Sequence, residues 1–203
     1  MSPAHAIDSV LPASHDVRVG RRPALRSAVL FHATRAEAAD ALYTHRPKRQ
    51  HPPIVVALSA GAVPIGHTWA LYTDGLLRWE RPCDTTSLLG APNVGRKPVV
   101  LVDDGELAAS TLVQAALWLR RGGCTHLTLA TVVADAALEE RVGDLVDELV
   151  VAHRVERLHR GCGLYLEGEV SERRARELLA TPAGLQSARK VSTASSTSRC
   201  RSR

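Results

Sequence analysis

The sequence predicts an α/β protein whose parallel sheet is flanked by helices. Three observations carry that expectation. The runs Ile54–Leu58, Val99–Val102 and Leu127–Val133 are continuously apolar and rich in β-branched residues. Runs of that kind, without polar alternation, suit strands covered on both faces. Between the second and third runs, Leu112, Ala115, Ala116 and Leu119 fall at i, i+3, i+4 and i+7, one apolar stripe of a helix. Helix and strand signals then keep alternating along the chain, which is the pattern of a parallel sheet.

Taken in order, Thr34-Arg35-Ala36-Glu37 reads as a capping box that opens an alanine-rich helix running to about His45. Pro52 and Pro53 enforce extended backbone into the first strand. The stripe helix after the second strand is stopped by Gly122-Gly123. Ala134 to about Gly143 reads as a further helix, and Leu149-Val150-Val151 as a fourth strand. Ser171 is placed to cap a last helix, with Glu172 complementing its N-terminal dipole.

The 203 residues give one domain's worth of core. Residues 1–28 are expected to form a mobile arm, 29–180 the folded domain, and 181–203 a disordered tail rich in Ser, Thr and Arg. No acidic residue follows Glu177, whereas Arg189, Lys190, Arg199, Arg201 and Arg203 do, so these five account for the whole net charge of +5. The basic balance therefore belongs to the tail, where sequence-independent contact with a nucleic acid stays open but solvation is the simpler expectation. No stretch approaches the ~18 apolar residues of a membrane span. The start, MSPAHAIDSV, lacks the features of a secretory signal. Cys83, Cys124, Cys162 and Cys200 form no CxxC pair, so a reduced, cytoplasmic protein is expected. His153, His159 and Cys162 lack a fourth ligand at a usual distance, which argues against structural zinc. Trp69 and Trp79 flank the middle region between the two loops, and Trp79 and Trp118 are expected to be buried rather than to stack on a ligand.

Ligands of open α/β sheets bind beyond the carboxyl ends of the strands. Two loops there stand out. Ser59-Ala60-Gly61-Ala62 follows the first strand, and its small residues let a ligand approach the backbone. Asp103-Asp104-Gly105-Glu106-Leu107-Ala108-Ala109-Ser110-Thr111 follows the second. An acidic pair, a tight turn and a helix N-terminus suit a polyol that also carries phosphate. The alternative is that Asp103 and Asp104 merely end a strand and cap a helix.

The segment Val99 to Gly105 followed by Ala108-Ala109-Ser110-Thr111 resembles the signature of type I phosphoribosyltransferases. Ile54–Gly66 (IVVALSAGAVPIG) resembles the first strand and loop of one bacterial branch of that family, and Leu164–Leu179 (LYLEGEVSERRARELL) its C-terminal end. The resemblance implies that Asp103 and Asp104 hold the ribose hydroxyls of phosphoribosyl pyrophosphate. Leu107, Ala108, Ala109, Ser110 and Thr111 would cradle its 5-phosphate, with Gly105 as the turn. Ser59, Ala60, Gly61 and Ala62 would face pyrophosphate and its Mg²⁺. The implied reaction displaces pyrophosphate from C1 by a nitrogen base, a step of nucleotide metabolism; no general base is nominated.

The departures from the pattern are specific. Ala108 and Ala109 stand where the family has Thr and Gly, Glu106 puts an acid beside the expected phosphate, and the first loop lacks the family's Arg. Only residues 63–102 separate the two loops, implying a reduced hood over the site, with Trp79–Lys97 as its remnant. A non-catalytic sensor of nucleotide or phosphoribosyl pyrophosphate is therefore the alternative. A homodimer stays open, and no membrane partner is expected. Val-Leu-Val-Asp-Asp also opens many receiver domains, but the only lysine after Asp104 is Lys190, and Asp144 and Asp147 precede their strand.

Overall fold

The computed structural model describes residues 32–46, 51–80, 93–157 and 164–181. The arm, the basic tail, Cys83, Cys162, Cys200 and His159 lie outside these residues. Among the described residues, five helices and five strands follow in the order α1 (Arg35–Thr44), β1 (Ile54–Ala57), α2 (Ala62–Thr73), β2 (Leu76–Trp79), β3 (Pro98–Asp103), α3 (Ala109–Arg121), β4 (His126–Ala134), α4 (Ala136–Val142), β5 (Glu148–Arg154) and α5 (Glu172–Leu179). A 3-10 turn, Gly143–Leu145, continues α4.

The strands form one sheet in the order β2-β1-β3-β4-β5, and every neighbouring pair is parallel. Chain travel thus reverses between β1 and β3: β1-α2-β2 steps to one side and β3-α3-β4 to the other. Right-handed crossovers then place the connecting helices on opposite faces. Both faces are buried. On one, Val55, Ala57, Val100 and Val102 pack with Leu42, Ile65, Trp69 and Ala175 from α1, α2 and α5. On the other, Ile54, Val56, Val99 and Leu101 pack with Leu112, Leu119, Leu138 and Val142 from α3 and α4. This alternation explains why the strands read as uninterrupted apolar runs.

The helices begin and end for legible reasons. Thr34 Oγ accepts the Glu37 N–H at 3.2 Å, while the Glu37 carboxylate reaches one residue further back than a regular capping box, to the Ala33 N–H at 2.9 Å. The four stripe residues of α3 are its buried residues, and Arg120 and Arg121 stand in its last turn, where positive charge suits the dipole. Ser171 Oγ accepts the Arg174 N–H at 3.2 Å. Trp69 is buried, whereas Trp79 and Trp118 are partly buried against the two core faces. The strand β2 was not expected from sequence: its four residues, LLRW, lack a β-branched run and lie at the sheet margin beside β1.

Candidate functional site

The reversal between β1 and β3 leaves a switch point at the carboxyl end of the sheet, the place where open sheets of this strand order bind ligands. Register pairs Ala57 with Val102, so the loop after β1 and the loop after β3 leave the sheet side by side. The twelve residues singled out from the sequence lie in these two loops, at the end of β3 (Asp103), at the start of α2 (Ala62) or in the first turn of α3. Ser59 joins the loops: its hydroxyl donates to Asp104 Oδ1 at 3.2 Å and accepts the Ala62 N–H at 2.9 Å. Gly61 is the N-cap of α2 and lies so close to Asp104 that a Cβ there would collide with Oδ2. Gly105 makes the turn with φ +89°, a conformation that favours glycine, and a Cβ on it would lie 2.8 Å from Leu164.

The acidic pair is divided by its surroundings. Asp103 is the last residue of β3 and only 1% exposed. Its Oδ1 accepts the Leu107 N–H at 3.4 Å, and its Oδ2 lies 2.8 Å from the Thr131 hydroxyl of β4. That hydroxyl also lies 3.0 Å from the Val133 carbonyl oxygen. Burial, reinforced by the charge of Asp104, pushes the Asp103 carboxyl up to about 7. Asp104 is equally buried, and burial raises it too, but the Arg35 guanidinium and the Ser59 hydroxyl oppose the shift. Its Oδ2 accepts no hydrogen bond among the described residues.

Arg35 is the residue that sequence reasoning missed. It opens α1, is 2% exposed and approaches three carboxylates: Asp104 at 3.7 Å, Glu106 at 3.7 Å and Glu167 at 3.1 Å. One edge of the guanidinium is well bonded, Nη1 donating to Glu167 Oε1 and to the Gly168 carbonyl at 2.7 Å. Its Cζ lies 4.1 Å from the centre of the Tyr165 ring, a cation–π contact. The other edge faces the acidic loop, with Nε carrying no hydrogen bond among the described residues. A signal for this existed in the sequence. A positive charge in the first turn of a helix opposes the dipole, so a buried arginine there needs carboxylates from elsewhere. Tyr165 and Glu167, which lie before α5, are its partners, and burial together with the Asp104 charge keeps the Tyr165 phenol well above its ordinary range.

The first turn of α3 supplies the other half of the site. Its N-cap is Ala108, which has no side-chain acceptor to offer the orphan amides. Ser110 is exposed, and Leu107, Ala108, Ala109 and Thr111 are half-buried. Amides at an uncapped N-terminus favour an anion. Glu106 is half-exposed beside them, its carboxyl raised by burial and by Asp104 against the pull of Arg35.

The receiver-like alternative gains little. Among the described residues the acidic pair stands at the end of the third strand, with two strands before it, rather than at the opening one. Asp147 is engaged structurally, its Oδ2 accepting the Leu127 N–H at 2.6 Å and Arg120 Nη2 at 2.8 Å. Asp135, which follows β4 and was not considered from sequence, caps α4 through the Leu138 N–H at 2.9 Å. His153 meets His32, their Nε2 atoms 2.9 Å apart, and no group of three or more metal-ligating side chains occurs among the described residues. Nor does any helix among them have the length and apolarity to cross a membrane.

No family model matches the chain, and no curated protein matches it. Among solved structures, the crystal structure of TT1426 from Thermus thermophilus is similar, at 19% identity and a TM-score of 0.59 over 75% of this chain and 98% of that one. A structure described as the allosteric regulatory enzyme of purine biosynthesis is similar at 13% identity and a TM-score of 0.42, over 69% of this chain and 42% of that one. The second likeness is too loose to argue from. The first is a likeness of fold: this chain shares its α/β architecture with TT1426 over nearly the whole length of that protein.

Proposed function

We propose that the protein binds phosphoribosyl pyrophosphate at the β1/β3 switch point, with transfer of the phosphoribosyl group to a nitrogen base weakened or lost. One observation carries this reading: the Asp104 carboxylate, with an oxygen free of hydrogen bonds among the described residues, stands five residues before the uncapped N-terminus of α3. A hydroxyl acceptor and an anion-binding helix end so placed suit a sugar phosphate. The resemblance to type I phosphoribosyltransferases, stated on the acidic motif and its flanks, names which one.

In this reading Asp104 accepts ribose hydroxyls, while Asp103, whose two oxygens are already engaged, holds the turn. Backbone amides from Ala108 to Thr111 take the 5-phosphate beside Leu107, with the Ser110 and Thr111 hydroxyls as further donors. Ser59 to Ala62 lies on the pyrophosphate side. Mg²⁺ would arrive with the ligand, held by its phosphates and by water, since Mg²⁺ dehydrates reluctantly and is commonly bound through substrate phosphates. When bound, the ion would neutralise charge on the departing pyrophosphate. Binding without turnover is the second reading. It is favoured by Ala60, Ala108 and Ala109, where the family has Arg, Thr and Gly. A lost donor to a charged oxygen costs about 1.5–3 kcal/mol.

The test is calorimetric titration with phosphoribosyl pyrophosphate and Mg²⁺, with ribose 5-phosphate and ATP as comparisons. Saturable binding that disappears in the Asp104→Asn, Thr111→Ala double variant is the expected result, and it would justify screening nucleobases for turnover. No binding at millimolar ligand, or unchanged binding in the folded double variant, would overturn the assignment.

A further inference from the structure

We infer that the acidic pair carries a single negative charge in mildly acidic solution, and that Arg35 is the positioning residue that assigns this charge to Asp104, leaving Asp103 as a protonated hydrogen-bond donor. The assignment deepens the proposed function, on which its ligand-binding arm rests.

Hydrogen-bond geometry around Thr131 carries the Asp103 half. The Thr131 hydroxyl has one proton and two acceptor neighbours, Asp103 Oδ2 at 2.8 Å and the Val133 carbonyl oxygen at 3.0 Å, in a residue with no exposed surface. With Asp103 ionised, one of these buried acceptors goes without that proton. With Asp103 protonated, its O–H donates to Thr131 Oγ, and Thr131 donates to Val133, so every group is satisfied. Burial and the neighbouring carboxylate act in the same direction and outweigh the Leu107 and Gly105 amides, which favour the ionised form.

The Asp104 half rests on where the positive charge is aimed. Arg35 is anchored from behind by Glu167, the Gly168 carbonyl and the Tyr165 ring. The free edge of its guanidinium is thereby turned towards Asp104 and Glu106. The Ser59 hydroxyl adds a donor to Asp104 Oδ1. Among the described residues, the charged and titratable groups around Asp104 are Asp103 on β3, Glu106 on its own loop, Arg35 on α1, and Tyr165 and Glu167 before α5, with Glu169 acting on Glu106. Arg35 is the cation within this set. Only an ionised carboxylate is a pure acceptor for sugar hydroxyls, so Arg35 would tune ligand affinity without touching ligand.

The experiment has two arms. Carboxyl ¹³C shifts of Asp103 and Asp104 are followed against pH in the ligand-free full chain, for the wild type and Arg35→Gln. Asp104 is expected to titrate below Asp103 in the wild type, and its midpoint to rise by about one to three pH units in the variant. Both groups ionised by pH 5 in the wild type, or an unmoved Asp104 midpoint in the variant, would overturn the assignment. If Arg35→Gln does not fold, Arg35→Lys keeps a cation but loses the anchored planar fork. A smaller rise is then expected, and none would overturn it.

The second arm titrates phosphoribosyl pyrophosphate with Mg²⁺ from pH 8 down to the Asp104 midpoint that the wild type shows. Below the variant's own Asp104 midpoint, binding by Arg35→Gln should weaken by up to tenfold per pH unit relative to the wild type. If both proteins bind with the same pH profile, the role of Arg35 is overturned and the ligand reading stands. If neither binds while the carboxyl titrations come out as expected, the ligand reading is overturned and the charge assignment stands.

Discussion

The hydroxyl of Tyr165 donates to the main-chain carbonyl of Asp104 at 2.7 Å, and both residues are buried. This bond ties the segment before the last helix to the end of the central strand. The Tyr165 ring meanwhile supports the guanidinium that faces the Asp104 carboxylate. One side chain thus holds both the backbone and the counter-ion of the acidic loop.

Tyr165→Phe keeps the ring and its cation–π contact but leaves a buried carbonyl without its donor. The expected loss of stability is about 1–3 kcal/mol, read as a lower urea midpoint with an unchanged slope. A loss of less than about 0.5 kcal/mol would mean that the carbonyl finds another donor.

Gly61→Ala introduces no backbone strain, because Gly61 has φ −65°. Its Cβ would nevertheless collide with Asp104 Oδ2. A destabilisation of about 1–3 kcal/mol is expected from this overpacking. In an Asp104→Ala background the carboxylate is gone and the cost of Gly61→Ala should largely disappear. Additive costs in the double-variant cycle would place the strain elsewhere.

Asp103 gives stability a definite pH dependence. Its carboxyl is raised to about 7 in the folded chain, above the ordinary unfolded value near 4. The folded state therefore keeps a proton that the unfolded state has released, and stability from this group falls as pH rises from about 4 to about 7, with a slope of at most about 1.4 kcal/mol per unit. Asp103→Asn imitates the protonated acid, can still donate to Thr131, and should flatten that slope. Thermal melting from pH 4 to 8 should find the variant at least as stable as the wild type at pH 8. A wild type with no decline across this window, or a variant that keeps it, would contradict the account.

Ser171→Ala removes the acceptor for the Arg174 N–H at the start of α5. A cost of about 0.5–2 kcal/mol is expected, with hydrogen exchange in the first turn of α5 rising before exchange in β3. Equal acceleration in both elements would indicate that the helix and the sheet open together.

The sheet was legible because burial on both faces leaves a one-dimensional trace. Ile54–Leu58, Val99–Val102 and Leu127–Val133 each mark a strand, each within one residue of the observed bounds at either end. The fourth was less well bounded: Leu149–Val151 marks only the centre of β5, which runs three residues further to Arg154. The α3 stripe, the cap at Ser171 and the helix opened by Thr34 were legible for the same reason, since each depends on residues within a turn or two of one another. The strand β2 left no such trace: its residues need only a neighbour at one edge, and tertiary pairing with β1 makes them a strand. The candidate loops were legible in composition, but not the way their carboxylates are used.

The sequence by itself determined an α/β chain with a parallel sheet and an acidic turn at a strand end, because local periodicity and capping encode those features within short windows. The tertiary structure decided the rest. Strand order put Ser59 beside Asp104, 45 residues away, and the packing of α1 against the segment before α5 carried Arg35 to Glu167, 132 residues away. It also gave Asp103 and Asp104, adjacent and chemically identical in sequence, different partners: Thr131 for one, Ser59 and Arg35 for the other. Neighbours brought together by folding set the charge of a buried carboxyl, and no local pattern records which neighbours those are.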